Sequence, residues 1–450
     1  MGDLFTSSPH DIKIVSVLVT SDRFEEEYEL VRNVTEINIY EHLDKPYLLG
    51  SIMIADSSNL LNRIGFLGTE KITISLKING DERSLVKTKV FVVTDVGGVS
   101  PVNDVSEAIS LNIIEEHAYA SRLVTMSKAY NGKPENIISQ IMFDGTSRRV
   151  DVPDDFSESA SPEMKVIVPS ITPIQAATWV RNRMITEIGS PFFLYATFNG
   201  PNLFLKDLDR MLLDKPINED RPYVFGQAYV NQSVFKPIPE QARVIETYKL
   251  ANSENMFKMA AEGVLNSNHQ FIDTLNTEST ADQSIVVAMK DVIEQLKNRG
   301  ILSRDQVQPI YDDKFTINGK RIDEYNTAPI KQIVTSNTFT DYANYYETEN
   351  IDQQKLRAYS YALRHYLLKS PLEITMPGFD FMGRGDDITI GKQVSLQFLK
   401  NDPAILDDDG QDALDPKRTG NYVIYSLRHI IRPERYTVSM SCVKLGEKNE

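Results

Sequence analysis

The stretch ITIGKQVSLQFLK, residues 388–400, repeats the design of FLGTEKITISLKI, residues 66–78, more than three hundred residues earlier in the chain. In both stretches a glycine and a short polar step precede a strand of alternating apolar and polar residues, which is the pattern of a half-buried β-strand. The strands that follow are also alike: they are KTKVFVVTDV (87–96) and EAISLNII (107–114) after the first stretch, and NYVIYSLRHI (421–430) and YTVSMSCVKL (436–445) after the second. The chain therefore carries one three-strand design at two distant places.

The alternation gives each repeated strand two faces, since successive side chains of a strand point to opposite sides of its sheet. The apolar faces are predicted to lie in a core, and their residues are Ile72, Ile74, Leu76, Val394, Leu396 and Phe398. The polar faces consist of Lys71, Thr73, Ser75, Lys77, Gln393, Ser395 and Gln397. Short strands at this spacing predict a small barrel or sandwich for each repeat.

The length of 450 residues is too great for one ordinary core, and a prior of about 150 residues per domain suggests roughly three domains. The patterns predict an α+β, β-rich chain with two similar small β-barrel domains and α/β accessory domains. The predicted boundaries are 1–118 for the first barrel, 119–212 for an α/β accessory domain, 213–250 with 371–450 for the second barrel, and 251–370 for a mixed insertion with two helices.

Four segments outside the repeats are predicted to be helical, and the first is KPENIISQIMF, residues 133–143, which has a proline near its start and apolar residues at helical spacing. Thr172 and Gln175 form a capping-box pattern at the start of a helix that Gly189 is expected to end. Residues 282–299 and residues 352–370 carry apolar side chains at the three- and four-residue spacing of an amphipathic helix.

The charge and composition exclude several function classes. The net charge is −15, so the clustered Lys and Arg that hold nucleic acid tightly are lacking, although DNA passing without specific binding remains compatible. No apolar run approaches the roughly 18 residues of a membrane span, and the N-terminus lacks the features of a signal peptide. The single cysteine, Cys442, excludes an internal disulfide and is expected to be a small core residue.

Motifs for catalysis, cofactors or metals are not found in the sequence. There is no phosphate-binding loop, no dinucleotide fingerprint and no zinc-protease motif, and the six histidines have no metal-ligand spacing. The acidic segment 401–420 contains candidate contact residues for a neighbouring subunit or ring, namely Asp407, Asp408, Asp409 and Asp412. A calcium loop starting at Asp407 would need a glutamate at its twelfth position, where Arg418 stands, so a solvated acidic loop is the favoured interpretation.

The order of elements near the end of the chain resembles that of a known family. The segments in question are LRAYSYALRHYLL (356–368), LEITMPGF (372–379), IGKQVSLQF (390–398) and GNYVIYSLRHIIRPERYTVSMSCVKL (420–445). Their succession is similar to the closing segment of the baseplate hub proteins of contractile-tailed bacteriophages, which are related to the hub part of type VI secretion spikes. Residues 36–76, EINIYEHLDKPYLLGSIMIADSSNLLNRIGFLGTEKITISL, resemble the opening barrel of the same family. The resemblance extends over 1–120 and 350–447.

The resemblance implies a structural protein without a reaction or a cofactor. Each chain would contribute two tube-like barrels, and three chains would close into a ring of six that joins a sixfold tail tube to a threefold spike. Duplication solves this symmetry mismatch, since a closed ring needs matching contacts at each joint. The polar faces named above would line the lumen through which DNA is ejected.

The same resemblance implies the partners and the location of the chain. The implied partners are two further copies of the chain, a central spike protein and a tail tube protein, with baseplate wedge and tape-measure proteins as further possible partners. No membrane insertion is implied. The implied location is the tail baseplate of a virion, after assembly in the cytoplasm of the host bacterium. Because the sequence closes with KLGEKNE, residues 444–450, directly after the last strand, the spike is expected to be a separate polypeptide.

Other functions stay open from the residues alone. A tail-associated polysaccharide or cell-wall hydrolase would need two carboxylates whose separation in space the sequence does not fix. A hub of a tailocin or secretion-type injection machine would share the architecture of the phage hub. A receptor-binding tail protein is a third alternative, but it would give no reason for the internal repeat.

Overall fold

The computed structural model describes most of the chain. The described residues are 8–78, 86–103, 106–152, 164–184, 186, 188–226, 238–250, 257, 266–273, 284–301, 314–321, 330–335, 349–367, 371–382, 389–400, 414–415 and 418–444.

The first part of the chain forms what we call the N-terminal unit, residues 12–115. Its elements are β1 (Ile12–Thr20), β2 (Tyr28–Glu29), β3 (Val34–His42), β4 (Leu49–Asp56), α1 (Leu60–Ile64), β5 (Lys71–Ile78), β6 (Lys87–Asn103) and β7 (Ser106–Glu115). Every second residue of β5 is buried up to Leu76, as the alternating sequence predicts. Burying one such aliphatic side chain contributes about 1.5–3 kcal/mol, so these strands hold the unit together.

An accessory region follows, with two small sheets and the helices that pack on them. Its elements are α2 (Glu116–Leu123), β8 (Ala129–Gly132), α3 (Pro134–Thr146), β9 (Val150–Asp151), β10 (Met164–Ile167), α4 (Pro173–Arg181), β11 (Phe192–Ala196), β12 (Leu203–Asp207) and α5 (Leu208–Leu213). Hydrogen bonds from Lys89 of β6 connect the region to the N-terminal unit. The Lys89 Nζ donates to the carbonyl oxygens of Thr197 (3.2 Å) and Gly200 (2.6 Å).

The C-terminal unit is made of strands from two separate parts of the chain, within residues 223–250 and 372–443. Its elements are β13 (Tyr223–Phe225), α6 (Ile238–Gln241), β14 (Thr247–Leu250), β20 (Leu372–Pro377), a 3₁₀ helix (Phe379–Phe381), β21 (Gln393–Phe398), β22 (Gly420–Arg432) and β23 (Arg435–Val443). Between them lie β15 (Asn266–Asp273), β16 (Ser284–Ala288), α7 (Met289–Asn298), β17 (Thr316–Ile317), β18 (Lys320–Arg321), β19 (Ile330–Thr335) and α8 (Glu349–Leu367).

The two units have the same strand order, which is the structural form of the sequence repeat. In the N-terminal unit the neighbours run β3-β4-β7-β6-β5-β1, and in the C-terminal unit they run β14-β20-β23-β22-β21-β13. The first four pairs are antiparallel in both units. The last pair differs, since β1 runs antiparallel to β5 whereas β13 runs parallel to β21.

Local details repeat as well. Gly68 and Gly391 both have positive φ, 85° and 74°, a conformation that glycine adopts without steric cost. A register shift lies at Val93 in β6 and at the equivalent Ile424 in β22. The backbone N–H of Val93 donates to the carbonyl oxygen of Glu70 at 2.9 Å, and that of Ile424 donates to the carbonyl oxygen of Lys392 at 3.0 Å.

The β-rich α+β class predicted from the sequence is confirmed, but the expected pair of separate barrels takes a different form. The strands of both units belong to one 13-stranded sheet, and the strands that the structure describes show no pairing that closes either unit by itself. The reason is the length of β22: residues 420–423 pair with β21, and residues 426–431 pair with β3 of the other unit.

Several predicted helices differ in their ends. The capping box of Thr172 and Gln175 is present, but the helix stops at Arg181 rather than at Gly189. Residues 284–288, predicted as helix, form β16, because pairing with β15 outweighs the local helical spacing; only 289–298 are helical. Among the described helices, none is long and apolar enough to cross a membrane.

Candidate assembly interface

The contact between the two units is an antiparallel strand pairing, which we call the joint. It pairs residues 426–431 of β22 with residues 37–42 of β3, and His429 lies opposite Ile39 near its centre. The backbone N–H of Leu43 extends it by donating to the carbonyl oxygen of Tyr425 at 3.0 Å. The sheet therefore continues from one unit of the chain into the other.

On one face of the joint, two arginines of β22 reach carboxylate and amide groups of β3. Arg428 Nε donates to Asn38 Oδ1 at 3.0 Å, and Arg432 Nε donates to Glu36 Oε2 at 2.7 Å. Partial burial raises the pKa of Glu36, but the hydrogen bonds from Asn38 and Arg432 and the arginine charges outweigh it and leave the pKa below its ordinary value. Arg432 is 54% exposed, so this pair contributes little to stability.

On the opposite face the joint holds a buried carboxylate, Glu41. Glu41 Oε1 accepts hydrogen bonds from the backbone N–H of Phe198 at 2.6 Å and from His429 Nε2 at 3.1 Å. Its Oε2 accepts from the hydroxyl of Thr389 at 2.8 Å, and His429 Nδ1 lies 2.6 Å from the Tyr436 hydroxyl. The network links the two units and the accessory region, and a buried polar network of this kind specifies one arrangement of its members.

A half-buried carboxylate, Asp44, lies just beyond the end of β3. Asp44 Oδ1 accepts from Arg181 Nη1 of α4 at 3.0 Å and from Arg364 Nη1 of α8 at 2.7 Å, and Oδ2 accepts from the Tyr425 hydroxyl at 2.6 Å. Burial raises the pKa of Asp44, but the charges of Arg364 and Arg181 and the hydrogen bond from Tyr425 outweigh it, so that the pKa lies below its ordinary value. Asp44 therefore fixes both helices against the joint.

The residues predicted for the core are all buried in the structure. They are Ile72, Ile74, Leu76, Val394, Leu396 and Phe398. Cys442 is buried too.

The seven polar residues predicted to line a lumen divide into two groups. Lys71 is exposed and forms an ion pair with Glu116 at 2.6 Å, and the partly exposed residues are Thr73, Lys77, Ser395 and Gln397. The prediction needs correction for Ser75 and Gln393, which are 8% and 6% exposed. The Ser75 hydroxyl lies 3.0 Å from that of Thr88, and Gln393 Nε2 donates to the carbonyl oxygen of Met211 at 2.8 Å, so packing inside the chain takes both side chains away from any channel.

Some predicted residues have no described position, and some important ones were missed. Asp407, Asp408, Asp409 and Asp412 lie outside the described residues. The sequence patterns did not single out Glu41, Asp44 or His429 as members of buried networks. The available signal was that Glu41 continues the apolar face of Ile37 and Ile39, and that His429 lies on a strand face between Leu427 and Ile431, where a buried polar group needs a partner.

Comparisons with solved structures support a tail-protein fold. A tail protein from Neisseria meningitidis matches with a TM-score of 0.51 and 12% identity, over 95% of this chain and 96% of that chain. A 43 kDa tail protein of prophage MuSo2 from Shewanella oneidensis matches with a TM-score of 0.50 and 11% identity, over 95% and 98% of the two chains. No protein-family model and no curated protein sequence matches the chain. The resemblance read from the sequence is thus confirmed at the level of the fold: the chain is folded like these tail proteins.

Proposed function

We propose that this chain, which has the fold of tail proteins, is the structural hub of a contractile-tail baseplate. Three copies would form a ring of six equivalent units. The ring would join a sixfold tail tube to a threefold spike and enclose the channel through which DNA leaves. The chain would act in the tail baseplate of a virion, and the proposal assigns it no reaction.

The observation that carries this proposal is the joint between two equivalent units of one chain. A chain with one unit and one head-to-tail contact would build a ring whose symmetry equals its number of copies. Two units in the same strand order, already joined edge to edge, allow three chains to present six similar positions. A sixfold tube can bind such a ring on one side, and a threefold spike can bind the features in which the two units differ.

The units differ most in what is inserted into them. Residues 251–371 separate β14 from β20, whereas only residues 43–48 separate the equivalent β3 and β4. The inserted α8 returns to the joint through Arg364 and its bond to Asp44. We propose that this insertion and the accessory region lie outside the ring and give it the threefold character that a spike requires.

The proposed channel would be lined by five of the predicted polar residues, which are Lys71, Thr73, Lys77, Ser395 and Gln397. A net charge of −15 on each chain disfavours retention of DNA phosphates, so the nucleic acid would pass without specific binding. The spike, the tube and the further baseplate partners are part of the same proposal.

The test is the mass and shape of the purified chain in solution. Light scattering should give about three times the 51.0 kDa of one chain, and negative-stain images of the same peak should show a ring with six lobes. A chain that stays monomeric alone and also in the presence of candidate spike and tube proteins would overturn the proposal. Hydrolysis of cell wall or polysaccharide by the isolated chain would then favour a tail-associated hydrolase.

A further inference from the structure

Among the strand edges that have no partner strand in the described part of the sheet are those of β6 and β14. Strand β6 has 17 residues, but it pairs with β5 only over residues 87–92; beyond them it pairs with β7 alone. Strand β14 pairs with β20 alone and forms one end of the sheet order. Long edges of this kind invite pairing with another chain unless something covers them.

Exposed apolar side chains lie on both of these edges. In β6, Val99 is 42% exposed and Val102 is 63% exposed; in β14, Leu250 is 44% exposed. Apolar side chains and free backbone groups together are the features of a strand-pairing surface.

The internal repeat identifies what the free edge of β6 is suited to bind. The second half of β22, which is the equivalent of β6, pairs with β3 in the joint. The equivalent of β3 is β14, because each is the neighbour of the corresponding strand, β4 or β20. The free edge of β6 and the free edge of β14 are therefore the two halves of a second joint, and both are present in every chain.

The register of this second joint follows from the partner strands on the other side. His429 lies opposite Val438 in β23, and Val99 lies opposite Ile109 at the corresponding place in β7, so Val99 takes the place of His429. In the same way, Ile39 lies opposite Gly50 of β4, and Leu250 lies opposite Leu372 at the corresponding place in β20. Because His429 pairs with Ile39 in the joint, Val99 is aligned with Leu250 in the second joint.

We propose that the β6 edge pairs, antiparallel, with β14 of a second copy of this chain. Val99 then lies opposite Leu250 of the partner subunit, and Ser100 lies opposite Lys249 of the partner subunit. The ladder ends at Pro101, which has no backbone N–H to donate. Each chain offers one edge of each kind, so copies join head to tail, and such a contact forms a ring when its rotation closes. The number of copies in the ring rests on the proposed function, whereas the pairing itself does not.

The test is a disulfide between neighbouring subunits of the full chain. Residues directly opposite in an antiparallel pair have Cα atoms about 4.5–5.5 Å apart, which is within the range of a disulfide. The variant carrying Val99→Cys and Leu250→Cys should give covalent dimers and trimers on mild oxidation, seen on a gel without reductant. The native Cys442 is fully buried and does not compete.

Matched controls define the register. Each single variant should stay monomeric on the gel, and Val99→Cys combined with Lys249→Cys should cross-link much less, because a one-residue step moves the side chain to the other face of the strand. Val99→Lys tests the pairing without a disulfide: it places a charge at an exposed position and should raise the concentration for half-assembly at least about tenfold, which corresponds to about 1.4 kcal/mol. Its circular dichroism should match that of the unchanged chain.

The outcomes separate this inference from the proposed function. A trimer by light scattering without the Val99–Leu250 cross-link would overturn the pairing and leave the hub standing. A cross-linked ladder that continues past the trimer would support the pairing and overturn the threefold ring. A chain that stays monomeric and gives no cross-link, both alone and with candidate spike and tube proteins present, would overturn both.

Discussion

Removing the charge of Asp44 should destabilise the chain more than removing any exposed ion pair at the joint. Asp44 binds two arginines, and their side chains are poorly exposed, at 5% for Arg181 and 17% for Arg364. In Asp44→Asn the two guanidinium groups would face each other without a countercharge. Loss of one partner from a buried ion pair costs about 3–5 kcal/mol; because Asp44 itself is 28% exposed, we expect a loss near the lower end, about 3 kcal/mol.

The assay is urea unfolding at one fixed protein concentration, followed by the fluorescence of the single tryptophan. Trp179 lies on α4, two residues from Arg181, so its signal reports the place that the substitution disturbs. The matched control is Glu36→Gln, which removes the partner of the exposed Arg432 and should cost at most about 1 kcal/mol. The slope of free energy against urea should stay the same in all three proteins, which would show that stability rather than compactness has changed.

The pH dependence gives an independent check. The pKa of Asp44 is lowered in the folded chain, so its stabilisation is fully present above the pKa of the unfolded carboxyl, about 3.9, and is lost as the pH falls through the lower folded value. The difference between Asp44 and Asp44→Asn should therefore be constant from pH 8 to about pH 5 and should shrink below about pH 4. A cost for Asp44→Asn no larger than that of Glu36→Gln at pH 7 would refute the reasoning.

Three further predictions concern buried groups. Burial raises the pKa of Asp209 to about 6 against a hydrogen bond from Ser190, so the stability due to its protonated form is lost as the pH rises through about 6. At pH 7.5 the free energy of unfolding of Asp209→Asn should therefore be about 1–3 kcal/mol larger than that of the unchanged chain, whereas at pH 4 the two proteins should unfold at the same urea concentration. Urea midpoints that are equal for the two proteins at both pH values would contradict this. A Cβ at Gly378 would overlap the buried ring of Tyr436, so Gly378→Ala should lower the free energy of unfolding by about 1–3 kcal/mol. Thermal unfolding measures this loss, and an unchanged midpoint would show that the ring can move. Burial raises the pKa of the Cys442 thiol, so a thiol reagent at pH 8 should not modify the native chain. In the unfolded chain the reagent should modify one thiol per chain. Fast modification of the native chain would show that the core opens at Cys442.

The local secondary structure could be predicted from the sequence. Alternation in residues 71–78 and 393–398 predicted both the strands and their buried faces, because the side-chain period of a strand is a property of the strand alone. The repeat predicted two similar units for the same reason, since equal patterns of short strands and turns build equal local structures. The capping box of Thr172 was predicted correctly because its partners lie three residues apart.

The way in which the two units meet could not be predicted from the sequence. The sequence does not show that β22 is shared between β21 and β3, because pairing between residues almost 400 positions apart leaves no local signal. The hydrogen bond between His429 and Glu41, which lie 388 residues apart, has no local signal for the same reason. The same limit applies to Asp44, whose arginines come from helices 137 and 320 residues along the chain. It applies also to residues 284–288, where pairing with β15 overrode the helical spacing. Patterns fix which face of an element is buried, but which element covers that face is settled by long-range packing and by the need of buried charges for partners.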